Sequence, residues 1–252
     1  MNKDAKYIVA FTSFGKRIEN AVDMIDSLKK QKFQDFRIVM TLYKDDVQNI
    51  GPRMQQLIDA GEVELLVADE DLGSHLKYFY VMKKYPYMPI ITVDDDRNYM
   101  DITLQCLVQA HEVAESKFQK LIICNWGTRM WRSLNQVPPM TVWPLLNLGE
   151  VSFFGMAEGF QGILYPANCF SDLDKYLPLI RKIPHDDDLV LKAIGIKEKV
   201  SVMRSMKPFT DPKAEDMPSQ MPYNMHNNEN TWNKRNDNVA FLNPYFLEAF
   251  RE

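Results

Sequence analysis

Ile90-Ile91-Thr92-Val93-Asp94-Asp95-Asp96 decides the fold class of this chain, because a compact apolar run ends there on three adjacent carboxylates. Four β-branched residues in succession read as a strand covered on both faces, the pattern of a sheet buried under crossover helices. The acids that follow repel one another, so a cation or a donor network must compensate them. On extended backbone, residues two apart share a side at roughly 6–7 Å. Asp94 and Asp96 are therefore expected to face one cavity while Asp95 points away. A hard divalent cation such as Mn²⁺ or Mg²⁺ takes one or two carboxylates and completes its shell with water and phosphate oxygens. Ligands of open α/β sheets gather outside the carboxyl ends of the strands, so this tip is a candidate metal-nucleotide site. An acidic turn in solvent is the plain alternative.

Outward from that strand, short β-branched runs alternate with helical patterns. Tyr7 to Thr12, Arg37 to Leu42 and Val63 to Ala68 read as strands. Ile18, Ala21, Val22, Ile25 and Leu28 recur at helical spacing, with Lys29 and Lys30 closing the last turn. Pro52 and Gly61 bracket a short helix, and Leu76, Phe79, Tyr80 and Lys83 mark another, ended near Pro86. Downstream, Leu104, Leu107, Val108 and His111 share a helical face, and Leu121 to Cys124 is a buried strand. From Asn125 to Glu150 the pattern loosens, with Trp126, Trp131 and Trp143 among Arg129, Arg132 and several prolines, the mark of a substrate lobe. Strand character returns at Phe160 to Tyr165 and Val200 to Arg204, around helical patterns at Asp172 to Ile180 and Leu189 to Ile194. The expected fold is α/β, a mixed, mostly parallel central sheet flanked by helices. Residues 206–252 read as a polar, asparagine-rich tail packed on the body formed by residues 1–205.

Composition narrows the function. With 46% apolar and 25% charged residues among 252, the chain has material for a packed core. Thirty basic against 34 acidic residues give a net charge of −4, too balanced for generic nucleic-acid binding. The apolar stretches are only a few residues long, whereas a spanning helix needs roughly 20. A polar start and an apolar run that stops at Phe11 do not make a secretory signal, so a cytoplasmic location is expected. Cys106, Cys124 and Cys169 form no close pair and read as buried thiols of a reducing compartment.

Three further segments carry candidate chemistry. His185-Asp186-Asp187-Asp188 precedes a helical pattern, where acids cap the helix and favour its dipole. Capping needs only one of them, and crowding raises one carboxyl toward the range of a general base. Asp71-Leu72-Gly73-Ser74-His75-Leu76-Lys77 brings a lysine one turn into a helix, suited to an acid or a phosphate. Gly159-Phe160-Gln161-Gly162 permits close backbone approach to a sugar, or makes a turn. His111 lies on an apolar stripe and reads as packing, whereas His226, isolated in the polar tail, is a candidate metal ligand.

In order and spacing these segments resemble the bacterial glycosyltransferases of GT-A fold that build capsular polysaccharide and lipopolysaccharide. The blocks are Thr12-Ser13 with Arg17, Asp71-Leu72-Gly73 with Lys77, Ile90 to Asp96 with Tyr99, Gly162-Ile163-Leu164-Tyr165-Pro166, and Asp187-Asp188. They cover roughly residues 7 to 205, with Asn236-Asp237 a looser match. The resemblance implies a metal-dependent transfer of sugar from a UDP-sugar to a hydroxyl of an oligosaccharide or lipid-linked saccharide acceptor. It divides residues 1–205 into a nucleotide-binding half, about 1–124, and an acceptor and catalytic half, 125–205. Thr12, Ser13, Arg17, Lys77, Asp94, Asp95 and Gly162 would bind the nucleotide sugar. Asp94 and Asp96, with His226, would hold Mn²⁺ or Mg²⁺. Asp188 would be the base, with Asp187 orienting donor or acceptor and Asp187 or Asp186 the next choices for the base, and a single base implies inversion at the anomeric carbon. Val190 departs from the pattern, standing where such sequences often carry a large aromatic. Peripheral contact with the inner face of the membrane is compatible with this reading. A metal-dependent phosphoesterase or nucleotidyltransferase, and a carbohydrate-binding protein retaining the fold without turnover, are the competing readings.

Overall fold

The fold is that of a computed structural model, which describes residues 4–118, 120–131, 136–205 and 229–250. Its elements in chain order are β1 (Tyr7–Thr12), α1 (Arg17–Lys29), β2 (Phe36–Tyr43), α2 (Pro52–Asp59), β3 (Val63–Ala68), α3 (Phe79–Lys84), β4 (Ile90–Thr92), α4 (Thr103–Glu115) and β5 (Leu121–Cys124). These are followed by β6 (Gly127–Arg129), β7 (Val151–Ser152), β8 (Gly155–Ala157), β9 (Ile163–Tyr165), α5 (Leu177–Lys182), α6 (Asp187–Lys197), β10 (Ser201–Arg204) and α7 (Glu229–Glu248). The main sheet runs β3-β2-β1-β4-β9-β5-β10-β7, and β6 pairs with β8 apart from it. Strands β1 to β4 are mutually parallel, β9 runs against both β4 and β5, and β10 is parallel to β5.

Alternation along β1 shows why helices cover both faces. Val9 and Phe11 pack with Ile18, Ile25 and Leu28 of α1 and Leu104 and Leu107 of α4. Ile8 and Ala10, pointing the other way, pack with Val81 of α3. A third group joins α6 and α7 to β5, β8 and β10 through Leu189, Val190, Ile194, Leu242 and Phe246. Val190 is fully buried there, so it presents no surface to a substrate. The three cysteines are free and buried, and His111 packs edge-on to the Tyr7 ring.

Register places the site. Ile8 pairs with Ile90 and Ala10 with Thr92, so the loops leaving β1 and β4 emerge side by side. Thr92 pairs with Ile163 of antiparallel β9, so the segment entering β9 arrives at the same edge.

Three local expectations change in the folded chain. The helix read from Leu76 to Lys83 is split into a 3₁₀ turn, Gly73–Lys77, and α3, because His75 is buried between the Tyr78 hydroxyl, 2.8 Å away, and the Ile183 carbonyl, 2.7 Å away. The strand read from Phe160 starts at Ile163, after a 3₁₀ turn at Gly159–Gln161, since Gly162 turns the chain at φ +85°, where a β-carbon is strained. Part of the polar tail is the helix α7, whose Val239, Leu242 and Phe246 are buried, with Ala249 buried just past its end.

Candidate active site

Strand β4 stops at Thr92, so all three acids lie beyond the strand, with Asp95 and Asp96 in a turn. The expected pairing of Asp94 with Asp96 on one side is replaced by a different division. Asp95 is buried: it accepts from the Ser13 hydroxyl at 2.5 Å and from Arg17 Nε at 3.1 Å, and it is ion-paired with the Arg17 guanidinium. Burial pushes its carboxyl above the ordinary range, against the pull of Arg17 and Ser13. Asp96 shares Arg17, at 3.1 Å. Thr12 spends its hydroxyl on the Thr41 carbonyl, 2.7 Å away in β2. Ser13, Arg17, Asp95 and Asp96 thus form one cluster at the ends of β1 and β4, with Thr12 adjoining it in sequence.

Asp94 turns the other way. Its Oδ1 accepts from Lys77 Nζ at 2.8 Å, and the same ammonium lies 3.1 Å from Asp187 Oδ2. Asp187 and Asp188 form the first turn of α6, and Asp188 Oδ1 accepts from the Gly159 amide at 3.1 Å. A β-carbon on Gly159 would sit 3.3 Å from Asp188 Oδ1, 3.6 Å from Lys77 Nζ and 3.8 Å from Asp94 Oδ1. Glycine there lets the chain lie against all three charges. Gly162 instead packs toward Leu107 and Thr103 of α4.

Burial opposes the charge of Lys77, yet Asp187, Asp94 and Asp188 hold it ionised well above the usual lysine range. Burial would raise Asp187, but Lys77 and His75 outweigh it and keep that carboxyl below its ordinary value. Asp188 is pushed well above the carboxylate range by burial and by the charge of Asp187, against the pull of Arg235 and Lys77. Two adjacent carboxyls on one helical turn are thus driven apart in proton affinity, the arrangement that separates an orienting acid from a base.

The third group lay outside sequence reasoning. Arg235 of α7 grips Asp186 through both its oxygens, at 3.1 and 3.3 Å, Asn238 adds a bond at 3.2 Å, and Glu158 is buried nearby on the Thr128 hydroxyl at 3.1 Å. The available signal was a stripe at helical spacing, Arg235, Val239, Leu242 and Phe246, masked by the asparagines around it. Beside Gly159, Phe160 lies against Trp126 with ring centroids 5.6 Å apart, and Arg97 stacks over Phe160 at 5.1 Å. Of the other tryptophans, Trp143 is core and Trp131 is exposed. His226 and Arg132 lie outside the described residues.

In this charge cluster Asp94, Glu158, Asp186, Asp187 and Asp188 outnumber the cations Lys77 and Arg235 among the described residues. No cluster of three or more His, Cys, Asp or Glu among those residues is arranged to hold a metal. Lys77 holds Asp94 through Oδ1 and Arg17 holds Asp96 through Oδ2, and as hard carboxylate oxygens the two residues would suit a Mg²⁺ or Mn²⁺ ion that takes its remaining ligands from water and phosphate.

No family model matches this chain, and no curated protein does. Among solved structures, S. aureus TarS matches with a TM-score of 0.51 at 14% identity, over 81% of this chain and 36% of that one. Its fragment 1-349 matches with a TM-score of 0.50 at 15% identity, over 81% and 59%; that fragment is also solved with UDP and with UDP-GlcNAc. The mannosyltransferase PcManGT from Pyrobaculum calidifontis, in complex with GDP-Man and Mn²⁺, matches with a TM-score of 0.43 at 10% identity, over 82% and 56%. The chain therefore spans well under two thirds of each of these structures. The likeness to TarS shows the fold, a GT-A-type α/β domain with a largely parallel central sheet flanked by helices. No helix among the described residues is long and apolar enough to cross a membrane.

Proposed function

We propose that this chain is a glycosyltransferase that moves a sugar from a UDP-sugar to a hydroxyl of an oligosaccharide or lipid-linked acceptor, inverting the anomeric carbon, in capsule or lipopolysaccharide synthesis. The observation that carries this reading is the meeting of Asp94 with the Asp187–Asp188 pair at Lys77, across Gly159, at the edge where the parallel strands end. Thr12, Ser13 and Arg17, with Asp95 held between Ser13 and Arg17, border the nucleotide. Lys77 carries positive charge to where the diphosphate departs. Asp188, a buried carboxyl with raised proton affinity, takes the acceptor hydroxyl's proton as the new bond forms. Asp187, kept ionised by Lys77, orients the acceptor, and the Trp126–Phe160 wall offers an apolar face to a sugar ring. Gly162 keeps the entry to β9 close to the donor sugar. Asp94 and Asp96 would hold Mn²⁺ or Mg²⁺, and His226 is a further candidate. When bound, that ion neutralises charge on the leaving diphosphate.

Incubation with Mn²⁺ and a panel of UDP- and GDP-sugars tests the reading. Nucleoside diphosphate should be released when donor and saccharide acceptor are both present. Release of inorganic phosphate in its place, or no turnover of any donor, refutes the assignment, and NMR showing an unchanged anomeric configuration refutes inversion.

A further inference from the structure

The buried face of α7 ends on the candidate base. Val239, Leu242 and Phe246 recur at helical spacing and seat the helix in the core. One turn toward the N-terminus, the same face presents Asn238 and Arg235 to the start of α6. The guanidinium takes Asp186 in a two-oxygen grip, and its NH2 lies 3.6 Å from Asp188 Oδ2. Asp186 immediately precedes α6, so a clamp on it sets the angle at which the turn bearing Asp187 and Asp188 leaves the chain. Asp188 is thus held from two sides, by the Gly159 amide and by Arg235.

The charged and titratable groups facing Asp188 are Asp186 and Asp187 on its own segment, Lys192 one turn further along α6, Lys77 from the 3₁₀ turn, Arg235 from α7, Tyr165 from β9 and Cys124 from β5. Of the basic groups among them, Lys77 is already shared with Asp94 and Asp187, and Lys192 donates to the Phe153 carbonyl, which leaves Arg235 to Asp186 and Asp188.

We propose that Arg235 is a positioning residue of this site: by gripping Asp186 it aims the first turn of α6, and its guanidinium lies against the Asp188 carboxyl. The inference rests on Asp188 being the base of the proposed transfer. It also assigns α7 to the catalytic apparatus, so that the α/β body is incomplete without the C-terminal helix.

The test compares Arg235→Met, Arg235→Lys and Asp186→Asn in the full chain, reading kcat/KM against pH beside a thermal melt. Loss of a cation within about 4 Å raises a carboxyl by about one to three pH units. The acid limb of Arg235→Met should therefore move up by at least about one unit, with KM for the donor nearly unchanged and kcat reduced. Arg235→Lys should bring the limb back while kcat stays low, because one ammonium cannot grip both Asp186 oxygens. Asp186→Asn removes a like charge and frees Arg235 for Asp188, so its limb should move the opposite way, to lower pH; this variant decides the matter if Arg235→Met does not fold. A limb that stays fixed in folded variants, with activity falling equally at every pH, overturns the proposal. A carboxyl-carbon NMR titration, with Asp188→Asn for assignment, reads the same shift without turnover. An inactive wild type would thus refute the transferase reading, while an unmoved Asp188 titration in Arg235→Met would refute the role of Arg235.

Discussion

Lys77→Met is the sharpest perturbation of the site, because it removes the ammonium shared by Asp94 and Asp187 and keeps most of the apolar stem. Nζ lies 2.8 Å from one carboxylate and 3.1 Å from the other, and the side chain is only 9% exposed. Exposed ion pairs are worth about 0–1 kcal/mol, but removing one partner of a buried pair strands the other and costs about 3–5 kcal/mol. For a chain of this size that corresponds to a fall in melting temperature of roughly 6–20 °C. The loss should also depend on pH. In the native protein Asp187 sits below its unfolded value, so its contribution is present above about pH 4 and lost as the pH falls through the lowered folded value. Without Lys77, burial and Asp188 dominate and the Asp187 carboxyl rises above its unfolded value. The variant then loses stability as the pH climbs from about 4 through that raised value, and the deficit widens from pH 5 to pH 8. Urea unfolding followed by tryptophan fluorescence and circular dichroism measures it at both pH values. Adding Asp187→Asn should recover at least about 1 kcal/mol, since the two residues are in contact. A deficit under about 1 kcal/mol at pH 7, or one equal at pH 5 and pH 8, would show that the ammonium is solvated and would refute the reasoning.

Asp188→Asn should separate stability from activity: an ionised Asp188 with a raised folded value opposes folding above about pH 4, so the variant should gain about 1–2 kcal/mol at pH 7 in a thermal melt, while transfer falls about 10²–10⁴-fold. A destabilised variant with near-normal turnover would contradict both halves. Gly159→Ala places a methyl 3.3 Å from Asp188 Oδ1 and should lower kcat at least about tenfold with a melting change equivalent to under about 1 kcal/mol; unaltered kcat would remove Gly159 from the site. Asp96→Asn should weaken Mn²⁺-dependent UDP binding at least about tenfold in calorimetry, and equal affinity would remove Asp96 from the metal role.

What the one-dimensional pattern determined is the layered α/β body. The runs Tyr7–Thr12, Val63–Ala68 and Leu121–Cys124 become β1, β3 and β5 with those bounds, because β-branched residues in short runs between helical periods leave few other ways to bury them. The acids at the end of β4 and the start of α6 were equally legible, since crowded carboxylates are conspicuous in any sequence. Their division was not. Whether Asp95 or Asp96 shares a side with Asp94 depends on where β4 stops, and β4 stops where pairing with β1 and β9 ends. Gly159 was visible beside Gly162, but the antiparallel entry of β9 chose which of the two meets the acids. Arg235 was hidden because its partner Asp186 is 49 residues away and its helix owes its place to Val239, Leu242 and Phe246 packing on α6. Periodicity is a local property of the chain and can be read along it. The pairing of buried charges depends on distances across the fold, and those exist only once the sheet has closed the ends of β1, β4 and β9 around the first turn of α6.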